Sequence, residues 1–245
     1  MLYFEIVPAA SVDVVLPCLN EALALKPVLR ELPPGYRAIV VDNGSTDDSA
    51  EIAKELGALV VSEPTPGYGV ACHRGLVTAT ADLVAFCDAD ASMTLATLPA
   101  LVEPVEAGRA DMTLGRRVPT QTGAWPLHGR LANRFLAWRV RSVTGLTVRD
   151  IGPIRVARRQ ELLDLGVADR RFGYPLETLI RAGQAGWRVE EFPIDYEPRL
   201  GKSKVTGTVR GVARAVRDMS AVLADCKNMR PDMTPTASSA AESSV

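Results

Sequence analysis

Short apolar runs alternate with helical patterns along the first half of the chain. The runs have the length and β-branched content of buried strands; they cover Val12 to Pro17, Arg37 to Asp42, Ala58 to Ser62, Leu83 to Asp88 and Asp111 to Gly115. One of the intervening helices is predicted to follow Ser45 or Thr46 as its N-cap and to stop at Gly57. This alternation predicts right-handed βαβ crossovers and an α/β fold with an open, mostly parallel sheet flanked by helices.

Four polar or glycine-rich corners follow strands of this predicted sheet: "LPCLNE", "VDNGSTD", "SEPTPGYG" and "CDADAS". Ligands of open α/β sheets bind beyond the carboxyl ends of the strands, where these corners lie. We therefore expect the four corners to converge on one rim, and we place the candidate site there.

Composition excludes several classes of protein. The 245 residues are 47% hydrophobic with a formal net charge of −1, which is typical of a soluble globular protein without a field that attracts nucleic acid. No run reaches the roughly 18 apolar residues of a membrane-spanning helix, and the N-terminus does not resemble a signal peptide. Two histidines and unpaired cysteines argue against structural zinc and favour reduced thiols in the cytoplasm; the cysteines are Cys18, Cys72, Cys87 and Cys226.

Two aspartates, Asp88 and Asp90, come directly after the apolar run that starts at Leu83. Two carboxylates one residue apart at the mouth of a parallel sheet form a compact site for a hard divalent cation with oxygen ligands. Such a cation stabilises a diphosphate leaving group as its bond breaks. The alternative is that the pair ends the strand and caps the helix that begins near Leu95.

The second half of the chain is locally basic. "GRLANRFLAWRVRSVTGL" reads as a basic amphipathic helix, and we interpret its stripe of arginines and Trp138 as a core face with solvated charges, with contact to a membrane as the alternative. "GTVRGVARAVRDMSAVLAD" predicts a final helix. We expect one domain over residues 1–227, with a first half (11–117) that carries the four corners and a basic second half (118–227), and a disordered tail over 228–245.

Ordered motifs give a resemblance to a known family. "VVLPCLNEA", "IVVDNGSTDDS" and "FCDADAS" resemble the first strand, the second corner and the D-x-D motif of family 2 glycosyltransferases, which have the GT-A fold. The late segments "RDIGPIRVARR" and "YEPRLGKSKVTGT" are similar to those of the polyprenyl-phosphate sugar synthases, the dolichyl-phosphate mannose synthase type. The resemblance implies inverting transfer from a nucleoside diphosphate sugar with Mg²⁺ or Mn²⁺. It also implies that residues 11–117 bind the nucleotide sugar and that residues 118–227 bind the acceptor.

The resemblance also assigns roles to residues. It implies that Asp42 reads the base or ribose, that Asp88 and Asp90 hold the metal and the diphosphate, and that the nucleotide pocket is lined by Pro17, Leu19 and Glu21. Leu19 stands where the family often has an aromatic residue, and Ser92 where mannose synthases of this type often carry a glutamine. The sequence therefore leaves open whether the donor is UDP- or GDP-linked.

The glycines of "PGYGVACHRG" suggest a turn. Cys72 occupies the position that would complete a G-x-G-x-x-G pattern after Gly67 and Gly69, and the stretch follows the third strand, which argues against a dinucleotide-binding fingerprint. We interpret the stretch as a flexible turn that lets Arg74 approach the diphosphate.

The basic residues late in the chain indicate the kind of acceptor. A phosphate monoester is already a nucleophile at neutral pH and needs cations, whereas a hydroxyl needs a base. The loop "RLGKSK" offers Arg199, Lys202 and Lys204, with Ser203 as a hydroxyl donor, as acceptor-binding residues. Polyprenyl phosphate is the expected acceptor, with peripheral membrane contact. The alternatives are a soluble hydroxyl or phosphorylated acceptor, with Glu177 or Asp150 as base, and a nucleotide-sugar binding protein without turnover.

Overall fold

A computed structural model of the protein describes residues 11–201 and 209–225. Its described residues form a seven-stranded sheet in the order β3-β2-β1-β4-β6-β5-β7. The strands are β1 (Val12–Cys18), β2 (Tyr36–Asp42), β3 (Leu59–Ser62), β4 (Leu83–Phe86), β5 (Met112–Pro119), β6 (Arg155–Arg158) and β7 (Val189–Tyr196). The predicted α/β fold with an open, mostly parallel sheet is therefore confirmed.

Helices cover both faces of the sheet. They are α1 (Ala22–Arg30), α2 (Ser49–Glu55), α3 (Tyr68–Thr78), α4 (Leu98–Glu106), α5 (Leu127–Thr144), α6 (Arg159–Asp164), α7 (Tyr174–Gln184) and α8 (Val209–Asp225), and a 3₁₀ turn (Leu95–Thr97) precedes α4. Along β1, Val14 and Leu16 pack into the core on the side of α1 and α4, whereas Val15 packs into the core on the side of α3 and α7. Both faces of β1 are therefore buried, as in parallel sheets generally.

One strand, β6, runs against its neighbours. It pairs antiparallel with β4 on one side and with β5 on the other, and Arg155 lies opposite both Phe86 and Leu114. Because of this reversal, the segment that enters β6 lies at the carboxyl ends of β4 and β5. The reversed strand therefore brings residues 150–154 to the rim that carries Asp88.

One buried carboxylate, that of Asp13, holds the amino-terminal ends of three strands together. Asp13 accepts hydrogen bonds from Arg37 on β2 (2.7 and 2.8 Å) and from the backbone amides of Thr80 (2.7 Å) and Ala81 (2.9 Å) ahead of β4. Burial alone would raise the pKa of Asp13, but the bonds from Arg37, Ala81 and Thr80 hold it below its usual value. These bonds tie β1, β2 and β4 together at the end opposite the rim.

The ends of α2 agree with the sequence prediction on one side only. The predicted N-cap is wrong, because α2 begins at Ser49 with Asp48 ahead of it. The side chains of Ser45 and Thr46 instead face Asn20 of the neighbouring corner. Gly57 does follow the end of α2 as predicted, at a φ of +81° that favours glycine.

The basic amphipathic helix and the final helix are confirmed as α5 and α8. The interpretation of Trp138 as a core residue is wrong, because its side chain is 56% exposed, whereas α5 buries Asn133, Ala137 and Val140. Within the two described ranges, no helix combines the length and hydropathy needed to cross a bilayer.

Candidate active site

The corners after β1 and β2 are joined by side-chain to backbone bonds. The Oγ of Ser45 accepts a hydrogen bond from the backbone amide of Asn20 (2.9 Å), and the Oδ1 of Asn20 accepts one from the amide of Thr46 (2.7 Å). Asn20 has a φ of +53°, a conformation that asparagine tolerates better than most residues. Asp42 accepts a bond from the amide of Ser45 (2.9 Å), which fixes the orientation of its carboxylate at the rim.

The corner after β3 is joined to this pair through Asn43. Its Nδ2 donates to the carbonyls of Glu63 (2.8 Å) and Thr65 (2.7 Å), and its Oδ1 accepts from the amide of Gly67 (2.8 Å). One side chain thereby satisfies three backbone groups of the neighbouring corner. The corner "SEPTPGYG" is held against the corner after β2.

Tyr68 links the third corner to the fourth. It is the first residue of α3, and its hydroxyl donates to Oδ1 of Asp88 (3.1 Å). Gly69 is required here, because a Cβ at that position would lie 2.6 Å from the backbone carbon of Arg170. The predicted convergence of the four corners on one rim is therefore seen in the structure.

Asp88 and Asp90 lie together at the centre of this rim. Burial and the nearby charge of Asp90 raise the pKa of Asp88 to about 6, although Arg199 and the bond from Tyr68 act in the opposite direction. Asp90 is buried, and its Oδ1 accepts from the amide of Ser92 (3.0 Å). The helical turn that follows is capped by Thr94, whose Oγ accepts from Ala96, so the alternative role of the aspartates as its cap is wrong.

The surroundings of the two carboxylates fit a divalent cation. Ser92 is buried beside Asp90, and its Oγ has no hydrogen-bond partner within the described part of the chain. Buried polar atoms of this kind are uncommon unless a ligand or water satisfies them. Among the residues that the structure describes, no third His, Cys, Asp or Glu completes a metal-binding group, so waters and phosphate oxygens would fill the remaining positions.

The chain that follows β7 is joined to the loop of these aspartates. The amides of Glu197 and Leu200 donate to the carbonyls of Ser92 and Asp90, each at 2.9 Å. Arg199 forms an ion pair with Oδ2 of Asp90 (3.2 Å). Lys202, Ser203 and Lys204, predicted to bind the acceptor, lie outside the described residues, and so do Cys226 and the tail over 228–245.

Sequence reasoning did not single out Arg117, which faces the same centre. Its guanidinium donates to both carboxylate oxygens of Asp150 (2.9 and 2.6 Å) and lies 3.9 Å from the ring centroid of Trp125. Burial alone would lower the pKa of Arg117, but Asp150 keeps it above its usual value, and the charge of Asp88 acts in the same direction. Arg117 is therefore a cation near Asp88, and Asp150 and Trp125 hold its guanidinium in place.

The two candidate bases are engaged in buried bonds. Glu177 accepts from the amides of Ala168 (2.9 Å) and Asp169 (2.6 Å) and from Arg181 (2.5 Å). Asp150 accepts from Arg117 and also from the amide of Gly152 (3.0 Å). Each carboxylate positions its neighbours, and this geometry argues against either one as a general base.

The remaining predicted residues occupy the rim or its helices. Pro17 is half-buried near the end of β1, Leu19 is 36% exposed just beyond it, and Glu21 is half-buried ahead of α1. Arg74 is exposed on α3, nearly two turns beyond Tyr68, so the predicted flexible turn is wrong from Tyr68 onward. The structure does not bring Arg74 into a described contact with Asp88 or Asp90, so its approach to a diphosphate stays a prediction.

The chain is similar in sequence to known glycosyltransferases. A sequence model of the family "Glycosyl transferase family 2" matches residues 13–165. An uncharacterized glycosyltransferase of Mycobacterium tuberculosis is 53% identical over 214 residues, which cover 87% of this chain and 98% of the relative. A dolichyl-phosphate hexose transferase of Haloferax volcanii is 30% identical over 203 residues, which cover 82% of this chain and 89% of the relative.

Solved structures share the fold. Glucosyl-3-phosphoglycerate synthase from Mycobacterium tuberculosis, solved with Mn²⁺, UDP-glucose and phosphoglyceric acid, superposes with a TM-score of 0.70 at 25% identity, covering 91% of this chain and 81% of that one. The same enzyme with Mg²⁺ and UDP gives a TM-score of 0.72 at 24% identity, with the same coverage. The expectation of a GT-A fold is thus confirmed, and the chain belongs to glycosyltransferase family 2.

Proposed function

We propose that the protein is a metal-dependent, inverting glycosyltransferase that moves a sugar from a nucleoside diphosphate sugar to a polyprenyl phosphate. The observation that carries this proposal is the pairing of opposite charges at the rim. Asp88 and Asp90 provide two carboxylates at the carboxyl end of β4, while Arg117 and Arg199 provide two cations close to them. Such a centre can hold a cation with its diphosphate and also a second, anionic reactant.

On the donor side, Asp88 and Asp90 would hold Mg²⁺ or Mn²⁺, and beside them lies the hydroxyl of Ser92, which has no hydrogen-bond partner among the described residues. The bound cation would neutralise charge on the departing diphosphate. Tyr68 orients the Asp88 carboxylate through its 3.1 Å hydrogen bond. Solved relatives of this fold were crystallised with Mn²⁺ or Mg²⁺ and with UDP or UDP-glucose, which supports this assignment.

For the nucleotide, we propose the rim between the corners after β1 and β2. Asp42 is oriented there by the amide of Ser45, and Pro17 and Glu21 border the same corners. Leu19 is exposed enough for its side chain to pack against a base. A leucine offers apolar contact without the ring stacking of an aromatic residue.

On the acceptor side, the geometry favours a phosphate nucleophile. Arg117 and Arg199 are charged donors near the carboxylate pair, and charge-assisted bonds to phosphate oxygens are among the stronger hydrogen bonds. Glu177 and Asp150 are already bonded to arginines and backbone amides. A phosphate oxygen needs no base at neutral pH, so these engaged carboxylates are compatible with a phosphate acceptor and unfavourable for a hydroxyl.

Two kinds of phosphorylated acceptor remain, a polyprenyl phosphate and a soluble small molecule. The dolichyl-phosphate hexose transferase of Haloferax volcanii supports the lipid. The synthase solved with phosphoglyceric acid supports a soluble molecule. The lipid is favoured by α5, which presents Leu131 and Trp138 to solvent on the same side of the molecule as Trp125 and Arg117. A lipid acceptor would place the enzyme at a membrane surface, which we propose to be the cytoplasmic face.

The test is a screen of UDP- and GDP-linked sugars with Mn²⁺ and three acceptors: a short polyprenyl phosphate, 3-phosphoglycerate and a simple sugar. We expect transfer to the polyprenyl phosphate from one class of donor, and none by the Asp90→Asn variant, which serves as the control. Transfer to phosphoglycerate or to the sugar, without transfer to the lipid, would overturn the proposed acceptor. Absence of both transfer and donor hydrolysis would overturn the enzyme assignment itself.

A further inference from the structure

Helix α5 exposes a row of large apolar side chains. Leu127 is 69% exposed, Leu131 58%, Phe135 53% and Trp138 56%. Their spacing along the helix puts them on one face, opposite the buried Ala137 and Val140. Single exposed apolar residues are ordinary, but a contiguous row of this kind marks an interaction surface.

Arginines flank this row, and four of them, Arg130, Arg134, Arg141 and Arg149, line one groove. Between Asp111 and Asp150 the sequence holds no aspartate or glutamate, although the whole chain has a formal net charge of −1. The same stretch holds seven arginines: Arg116, Arg117, Arg130, Arg134, Arg139, Arg141 and Arg149. Positive charge is therefore concentrated around this exposed apolar row. We call the side chains of Leu127, Leu131, Phe135 and Trp138, with Arg130, Arg134 and Arg141, the α5 face.

An open groove lies along the α5 face. It has a volume of about 620 Å³ and is lined by apolar and arginine side chains, among them Leu127, Leu131, Arg134 and Trp138. Its wall also includes Val148 from the segment that leads to Asp150. The groove combines an apolar floor with cationic edges, which is the chemistry that matches an acyl or isoprenoid chain below an anionic headgroup.

The groove reaches the candidate active site. Trp125 lines the groove and also lies 3.9 Å from the guanidinium of Arg117. Asn133 lines the groove and accepts a hydrogen bond from Arg117 (3.3 Å). A lipid lying along α5 would thus have its phosphate end directed toward Arg117.

We propose that the α5 face docks on an anionic phospholipid surface. The apolar row inserts at the level of the headgroups, and the arginines contact lipid phosphates. The delivery of acceptor through the groove rests on the proposed polyprenyl phosphate substrate, whereas the docking itself does not. A second copy of this chain is a poorer occupant, because a two-fold contact centred on the α5 face would bring its arginines from both copies together, and none of the described residues that line the groove is an acid.

The test uses vesicles of phosphatidylcholine, with and without phosphatidylglycerol, and contains neither donor nor polyprenyl phosphate. We expect co-sedimentation with the anionic vesicles that falls steeply with salt, since surface charges are screened over about 8 to 10 Å. Arg130→Gln combined with Arg134→Gln should weaken binding about twenty-fivefold, at about fivefold per arginine. Leu131→Ser combined with Trp138→Ser should also weaken it, with the circular dichroism spectrum unchanged.

The matched control combines Arg30→Gln with Lys54→Gln, which removes the same charge from exposed positions on α1 and α2. Binding by this control should stay within about twofold of the parent. Equal loss in the control, equal binding to neutral vesicles, or no binding at all would overturn the proposal. A stable dimer in sedimentation velocity that dissociates with Leu131→Ser and Trp138→Ser would also overturn it. Because these vesicles lack polyprenyl phosphate, failure of the proposed acceptor would leave the docking result unaffected.

Discussion

The proposed donor rim, formed by the corners after β1 to β4, and the proposed acceptor side, residues 116–201, are stabilised by different kinds of contact. On the donor rim, short side chains such as Asn20 and Asn43 bond to the backbone of the next corner. On the acceptor side, long arginines are held by buried carboxylates distant in sequence, as Arg117 is by Asp150. The donor rim is therefore specified by contiguous motifs, whereas the acceptor side depends on pairs that only the fold assembles.

The two regions also carry opposite charge. Burial and Asp90 raise the pKa of Asp88, so the donor rim has more negative charge than it easily accommodates. Arg117 and Arg199 approach it from the acceptor side, where Arg199 forms an ion pair with Asp90. A bound divalent cation would neutralise the charge of the two aspartates, and a bound phosphate would neutralise the charge of the two arginines.

The largest expected effect comes from breaking the donor rim. Asp90→Asn or Asp88→Asn should lower transfer by at least about a thousandfold at saturating donor, because each removes half of the negative charge available to the metal. Turnover with Mn²⁺ measures the loss, and circular dichroism checks that the fold is kept. Chelation of the metal should reproduce it. Near-normal turnover in either variant would contradict the assignment of the pair to the metal.

The next effect concerns the acceptor side. Arg117→Lys keeps the charge but loses the planar, two-point contact with Asp150. We expect turnover with a phosphate acceptor to fall about a hundredfold, which corresponds to about 2.7 kcal/mol, while donor affinity changes little. Steady-state kinetics and a separate donor-binding titration distinguish the two quantities. An equal loss of donor affinity would show that Arg117 binds the donor and not the acceptor.

Glu177→Gln is the control for that experiment, because Glu177 is another buried carboxylate paired with an arginine, Arg181. It should lower the free energy of unfolding by about 2 kcal/mol and leave turnover per folded enzyme unchanged. Denaturant unfolding and activity at matched folded concentration give the two values. A loss of turnover without a loss of stability would restore Glu177 as the base for a hydroxyl acceptor.

The smallest expected effect concerns the pH dependence of metal binding at the donor rim. Asp88 must be ionised to bind metal, so Mn²⁺ affinity should fall as the pH drops below about 6. Tyr68→Phe removes a hydrogen bond that lowers the pKa of Asp88, and should shift this fall to higher pH. We expect affinity near neutral pH to drop about tenfold, the low end for the loss of a partner of a metal ligand. Titrations of the free enzyme across pH measure it, and an unshifted profile would remove Tyr68 from this role.

The sequence predicted the donor rim better than the acceptor side, for a physical reason. The period and length of the apolar runs predict β1, β2 and β4, and parallel strands bring their corners to one edge without further information. By contrast, β6 was not predicted as an antiparallel strand, because Arg155 interrupts its short apolar pattern. Arg155 is buried and donates to the carbonyls of Ile151 and Gly152, which a sequence pattern does not reveal.

Arg117 was missed for a similar reason. It stands in "GRRVP" without a recognisable motif, and its role depends on Asp150, 33 positions later. A signal was present, since seven arginines between Asp111 and Asp150 without an acid indicate a surface for anions. The exposure of Trp138 was not predictable from period alone, because an amphipathic helix does not reveal which of its faces the fold covers.

The hydrogen bonds of Asp13, at the end of the sheet opposite the rim, make the site sensitive to insertions and deletions within the strands. These bonds align the amino-terminal ends of β1, β2 and β4, and each strand then extends about 3.3 Å per residue toward its corner. Adding one residue inside β4 would advance Asp88 by about that distance and turn alternate side chains to the opposite face. The number of residues between the amino-terminal end of β4 and the rim therefore sets the position of Asp88.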